Sequence, residues 1–235
     1  MSLALLIAGC DGVVNPVSSP SLIIKSLSKW KVDTLSDVKL SRVMYKEFDI
    51  SGNVIIQEDF SDDGIIISKS TYSYETNVGV EFKSTFDETG EKKSEKKVEY
   101  EYDKNRRVIR QTNYNTNGSV ENVFTFTYDE FGNVIKRTMT NGSSVDDNLN
   151  IDYSYSQTGE LIEKVTKNDA GNLSRDSISY ISTLRVVNIF KFNSQGLLTN
   201  IITYHYNSLG NITEEYIYTG ERKLLKKFIY EYVFF

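Results

Sequence analysis

One cysteine, one histidine, one tryptophan and two prolines are all that 235 residues contain of those types. The single thiol, Cys10, excludes an internal disulfide framework and any multi-cysteine metal site. Both prolines, Pro16 and Pro20, stand near the start of the chain. Proline removes a ladder donor, so the proline-free remainder suits nearly continuous strand pairing. A basic stripe is also missing. The net charge is −5 and Lys and Arg are interspersed with acids, which argues against a nucleic-acid surface. The densest charged run, Glu91 to Lys97, is of mixed sign beside a turn and reads as a solvated hairpin end. No apolar run approaches the roughly 18 residues of a membrane helix.

Catalytic constellations are equally scarce. His205 lies between Tyr204 and Tyr206 in a predicted strand and should face away from those rings, with no Ser or Cys motif at a spacing that makes it a base. Asp62-Asp63-Gly64 and Asp146-Asp147-Asn148 lack the ligand spacing of a calcium loop. No P-loop or dinucleotide fingerprint is present. The expectation is therefore a protein without catalysis, cofactor or bound metal.

What the chain has in quantity is rings, with sixteen Tyr and twelve Phe, and they fall in a rhythm. Phe124, Phe126 and Tyr128 alternate with Val123, Thr125 and Thr127, a period of two that puts one row of rings on one face of a sheet. The cluster Asp129 to Asn133 then breaks the pattern with residues that favour a tight turn. Similar clusters recur about every 10 to 17 residues, from Asp49 to Asn53 as far as Thr219-Gly220, with one missing near Ser182 to Arg185. Ring pairs precede every other turn: Tyr72 and Tyr74, Tyr100 and Tyr102, Phe126 and Tyr128, Tyr153 and Tyr155, Tyr204 and Tyr206. The structural repeat is thus a two-strand hairpin of about 26 residues.

These spacings predict an all-β fold, an antiparallel meander of repeated hairpins forming a long twisted or curled sheet: an open barrel, spiral or half-pipe. Aromatics of successive repeats should line up as cross-strand ladders. Leu22 to Val32 and Lys39 to Phe48 suit the opening strands, Asp33 to Val38 a loop, and Trp30 should pack over an end of the sheet. Rings covered by the sheet's curvature are core; rings left uncovered are a surface on which sugars can stack, and Tyr100, Tyr102, Phe126, Tyr128, Tyr153 and Tyr155 are the candidates. A sheet with free edges offers a different use: the last strand, Lys227 to Phe235, is placed to pair with another chain. A C-terminal Phe after alternating aromatics also resembles the final strand of outer-membrane barrels, although strands of six or seven residues fall short of the roughly 9 to 11 needed to span.

The first ten residues, MSLALLIAGC, resemble the lipobox of bacterial lipoprotein signal peptides, in which the Cys becomes the acylated first residue. No basic residue precedes the apolar run, which is short for such a segment. The resemblance implies a signal segment over 1–10, lipidation at Cys10, a polar tether over 11–21 and one folded domain over 22–235. It places the protein in the cell envelope, anchored by lipid to the outer membrane or cell surface.

At Tyr128-Asp129-x-x-Gly132-Asn133-Val134, Tyr102-Asp103-x-Asn105 and Tyr206-Asn207-x-x-Gly210-Asn211-Ile212, the chain is similar to the YD repeats of the RHS family, from about Tyr45 onward. That family uses such hairpins as shells around toxins and as extracellular stalks that contact carbohydrate. Several copies here keep Gly and lose Tyr or Asp, as at Gly64, Gly159 and Gly196. The overall plan resembles small Gram-negative lipoproteins with YD-like repeats. It implies an envelope binding module for a polysaccharide or another envelope protein, or else an assembly component acting through sheet edges.

Overall fold

The computed structural model describes residues 23–74, 78–141, 149–168 and 170–235. Cys10, the tether, Asp146-Asp147-Asn148 and the turn at Gly142 lie outside the described residues. Among the described residues sixteen strands follow one another: β1 Ile24–Val32, β2 Lys39–Phe48, β3 Val54–Phe60, β4 Ile66–Tyr74, β5 Val78–Phe86, β6 Lys92–Tyr102, β7 Val108–Tyr114 and β8 Val120–Tyr128. The second half continues with β9 Val134–Asn141, β10 Leu149–Tyr155, β11 Leu161–Asn168, β12 Gly171–Ile181, β13 Val186–Asn193, β14 Leu198–Tyr206, β15 Ile212–Thr219 and β16 Leu224–Phe234. Each strand is antiparallel to its sequence neighbours, as the turn spacing predicts. The irregular connection near Ser182 is a short 3-10 helix, Ser182–Leu184.

The meander closes. β1 pairs with β16 from Ile24 opposite Phe234 to Val32 opposite Lys227, so the curled meander that the sequence predicts, drawn there as an open barrel, spiral or half-pipe, closes into a barrel. The turns supply the reason. At Asp129 to Asn133, the Gly132 N–H donates to the Asp129 carbonyl (3.1 Å) and the Asp129 N–H to the Asn133 carbonyl (2.9 Å). Gly132 has φ 89, the seat of a type I turn with a glycine bulge. The register of the ladder shifts accordingly between Thr127 and Tyr128. Equivalent shifts fall at Glu47/Phe48, Glu101/Tyr102, Ser154/Tyr155 and His205/Tyr206. Each bulge adds right-handed twist, and the accumulated coiling brings β16 beside β1, where pairing satisfies the backbone groups of both edges.

Closure removes the edge expected at Lys227 to Phe235, because β16 is hydrogen-bonded to β15 on one side and β1 on the other. Most strands are also longer than the six or seven residues expected. They run from 7 in Val54–Phe60 to 11 in Lys92–Tyr102 and Leu224–Phe234. The bulged turns occupy so few residues that nearly everything between them pairs.

Asp at the first turn position and Asn at the fifth have one job each. Asp129 Oδ1 accepts the N–H of Phe131 (3.0 Å) and Asn133 (2.8 Å), while Asn133 Nδ2 donates to Asp129 Oδ2 (2.9 Å). Asp49 with Asn53 repeats this set, and at Asn207 an amide oxygen accepts the same two backbone bonds. Such bonds hold turn carboxyls below their ordinary value of 3.8: Asp33 by the N–H of Leu35 and Ser36, Asp87 by the Thr89 hydroxyl and the Glu91 N–H. A depressed folded pKa stabilises the fold above the unfolded value, and that contribution is lost as pH falls below about 4. Replacing both aspartates by Asn, the residue already used at 207, should leave neutral stability nearly unchanged and move the acid unfolding midpoint to lower pH. An unaltered acid profile would remove these carboxylates from the account.

A candidate binding surface on the inner wall

Residues opposite one another in an antiparallel ladder share a face, so register assigns every side chain to the inside or the outside. Tyr100 faces the same way as Gly79 and Gln111, Phe126 as Arg137, and Tyr153 as Lys164. That face also holds the buried Lys46, Ser70, Glu81, Ile178, Val187, Ile189, Glu215 and Phe228, and is the interior. All six candidate stacking residues, Tyr100, Tyr102, Phe126, Tyr128, Tyr153 and Tyr155, point inward.

The rings do not form ladders across strands. The repeat is two strands long, so ring-bearing strands are separated by an intervening strand, about 10 Å from one to the next. Stacking occurs along a strand instead, as between Tyr72 and Tyr74 (centroids 6.5 Å apart) and between Tyr232 and Phe234 (6.3 Å). The intervening strands turn polar side chains inward: Lys29, Gln57, Glu81, Gln111, Arg137 and Lys164 from β1, β3, β5, β7, β9 and β11. The sequence carries this signal, because inward parity followed around each turn lands on these residues. It is easily missed, since they look like ordinary surface charges.

The two tyrosines of a pair have different tasks. The one nearer the turn donates its hydroxyl to a carbonyl in the preceding repeat: Tyr74 to Val54 (2.7 Å), Tyr128 to Val108 (2.6 Å), Tyr155 to Val134 (2.8 Å), Tyr180 to Leu161 (2.9 Å) and Tyr232 to Ile212 (2.7 Å). Each acceptor is the first residue after the turn of that preceding repeat, so the Tyr of the repeat motif ties its hairpin to the one before. Burial pushes Tyr128, Tyr155 and Tyr180 up to about 12. The tyrosine farther from the turn meets carboxylates. Tyr100 donates to Glu81 Oε2 (2.7 Å) while Ser70 donates to Glu81 Oε1 (2.7 Å). Tyr230 donates to Glu215 Oε2 (2.5 Å), which also holds Lys29 Nζ at 2.6 Å. Burial first and the adjoining Glu second raise both tyrosines well above their ordinary range.

Tyr100, Tyr128 and Tyr155 are therefore engaged in holding the wall together. Phe126 and Tyr153 are half-buried and stand beside charge. The Arg137 guanidinium lies 3.9 Å from the Phe124 centroid and 5.7 Å from that of Phe126, and among the described residues its Nε is buried without a hydrogen-bond partner. Asp176 Oδ2 lies 3.4 Å from Lys191 Nζ and 4.0 Å from Lys164 Nζ. Half-buried ring faces flanked by a guanidinium, amines and a carboxylate suit a ligand that offers both rings and hydroxyls.

The remaining candidates sit on the outer wall. His205 faces outward with its ring 5.3 Å from Tyr216, in register with Glu214. Trp30 lies within β1 rather than over an end of the sheet, with Lys39 Nζ 5.1 Å from its ring, and Arg42 reaches Trp30, Tyr45 and Phe60 together. Asp62, at the rim of that wall in the turn between β3 and β4, is held by Lys31 at 2.5 Å. Cross-strand ion pairs, such as Glu58 with Lys69 (2.8 Å) and Glu163 with Arg175 (3.4 Å), run along this wall.

No family model matches the chain, and no curated protein matches it. Among solved structures, a porin-like protein from Bacteroides uniformis is similar at TM-score 0.41 and 13% identity, over 93% of this chain and 100% of that one. A porin-like protein from Bacteroides vulgatus gives 0.39 and 12%, over 89% and 98%. The Photorhabdus luminescens Tc holotoxin pore gives 0.24 and 11%, over 79% of this chain and 16% of that one. None of these likenesses fixes a function.

Proposed function

We propose that this chain is a non-catalytic envelope protein, anchored by lipid at Cys10, whose barrel interior binds a glycan. The observation that supports this most is the inner wall itself, where from β3 to β11 strands bearing amides and charges alternate with strands bearing rings, the aliphatic cluster Ile178, Val187 and Ile189 being confined to β12 and β13. A barrel filled only for stability would place aliphatic side chains there. The likeness to YD repeats, a family that includes carbohydrate-contacting stalks, adds to this reading. Anchoring rests on the lipobox-like segment.

The test is binding of the purified chain to a panel of bacterial polysaccharides, beside a Phe126→Ser/Tyr153→Ser variant whose melting temperature is first matched to the parent. Binding that falls more than tenfold in the variant supports the reading; no binding anywhere on the panel sinks it. Cys10→Ser should release the protein from membranes in an alkaline wash. Closure favours one alternative, an outer-membrane barrel, since a barrel without edges is the β-form a bilayer accepts. In that case Cys10→Ser stays in the membrane until detergent is added. Ion pairs along the outer wall weigh toward water contact, because a charge facing lipid costs about 2–4 kcal/mol at the midplane. An assembly role would have to use the rims or the outer wall, as both sheet edges are paired.

A further inference from the structure

The two rims of the barrel differ. The chain enters β1 at Ile23, on the rim formed by the turns that follow the ring pairs, and Phe235 ends beside it with its N–H on the Ile23 carbonyl (3.1 Å). Apolar side chains project from the turn tips of this rim: Phe131 (82% exposed), Leu184 (68%) and Ile50 (62%), with Leu209 and Phe235 also exposed. Just below them Ile109, Ile135 and Ile162, each the second residue after its turn, are exposed on the outer wall. A tight turn does not need an aromatic or a leucine at its tip, where a polar residue costs nothing in packing. Lys25, Lys104, Arg106 and Arg185 stand exposed among these tips, and among the described turn residues Glu130 and Glu160 are the exposed acids there.

The opposite rim also carries apolar tips, Leu35, Val38 and Leu197, set among the exposed acids Asp37, Asp62, Asp63, Glu88, Glu91 and Glu221 and the exposed bases Lys39, Lys92, Lys93, Arg222 and Lys223. Charge there is mixed, without the basic excess that draws the first rim to an anionic surface. Residues 11–22 link Cys10 to the first rim and span at most about 40 Å when fully extended. Apolar tips that insert shallowly, with basic side chains beside them reaching headgroup phosphates, are the arrangement by which a surface-lying protein holds a bilayer.

We propose that the rim bearing Ile50, Phe131, Leu184 and Leu209 lies on the bilayer surface, so that the anchored barrel stands end-on with its other mouth away from the membrane. The orientation rests on the lipid-anchor reading, while the rim's own affinity for lipid does not. The experiment separates the two by using the Cys10→Ser full chain, which carries no acyl group whichever reading holds. Flotation with vesicles of mixed phosphatidylcholine and phosphatidylglycerol should recover this chain. Ile50→Ser/Phe131→Ser/Leu209→Ser should cut recovery more than tenfold, whereas Leu35→Ser/Leu197→Ser on the far rim should not change it. Each variant is compared only after its melting curve matches the parent. Recovery that is absent in the parent, or lost equally from both rims, overturns the proposal. So does self-association of the parent that disappears in the first variant without vesicles, which would give the rim to a second copy of the chain. Acylation of Cys10 is read separately, by mass, and its failure would remove the anchor without touching the flotation result.

Discussion

Replacing Glu215 by Leu is expected to destabilise the barrel by about 3–5 kcal/mol and to lower its melting temperature by about 10 °C. Glu215 is 5% exposed and serves two donors at once, Lys29 Nζ at 2.6 Å and the Tyr230 hydroxyl at 2.5 Å. The loss is larger than one bond because Lys29, whose side chain is 20% exposed, is left without the carboxylate it pairs with. Its Nζ lies 4.1 Å from the Phe228 centroid and 5.4 Å from that of Tyr230, contacts that soften the penalty without replacing a counter-ion. Removing the lysine as well, in Lys29→Met/Glu215→Leu, should recover much of the loss, since an apolar pair of similar volume needs no counter-charge. The measurement is a double-mutant cycle from urea midpoints. If the single Glu215 variant costs less than about 1 kcal/mol, water reaches the site freely and the pair is a surface contact in character.

The same pair shows where sequence reading stops. The turns were legible because their chemistry is local: an Asp or Asn at the first position and a glycine at the fourth can be read from five residues. The hairpin meander followed from the turn spacing. Closure did not, since it depends on small twists summed over sixteen strands. Glu91 to Lys97 shows the other limit. It reads as a solvated hairpin end, yet most of it forms the first half of β6, with Lys96 Nζ on Glu121 at 2.8 Å and Lys97 paired with Glu99. Ladder hydrogen bonds are indifferent to side-chain charge, and the neutralising partners are distant in sequence for Lys96 and one face-neighbour away for Lys97. The polar inner rows were hidden for the same reason, because Lys29 and Glu215 meet only when the first and last hairpins do.

Gly220→Ala should cost about 3 kcal/mol, and space, not backbone angle, is the cause. A Cβ at 220 would lie 2.1 Å from the Leu198 carbonyl oxygen and 2.9 Å from its carbon. Backbone is what it would strike, and that stretch of backbone is held in place, because the Gly220 N–H donates to the neighbouring Thr199 carbonyl at 2.8 Å. Relief therefore requires opening the junction of β14 and β15. Gly52 makes the contrast: its φ is +82 and nothing stands within 4 Å of a Cβ there, so Gly52→Ala meets only the left-handed penalty of about 1–2 kcal/mol. In the turn after Gly220 the left-handed seat belongs to Arg222, at φ 66, and Arg222→Gly should stabilise the protein by up to about 1 kcal/mol. Thermal melts of the three variants decide the matter by their order. If Gly220→Ala falls no further than Gly52→Ala, the carbonyl of Leu198 yields easily and the close approach is not what keeps glycine there. If it falls much further while Arg222→Gly rises, glycine in this chain has two separate uses, one for backbone angle at the turn seats and one for contact where adjoining hairpins touch.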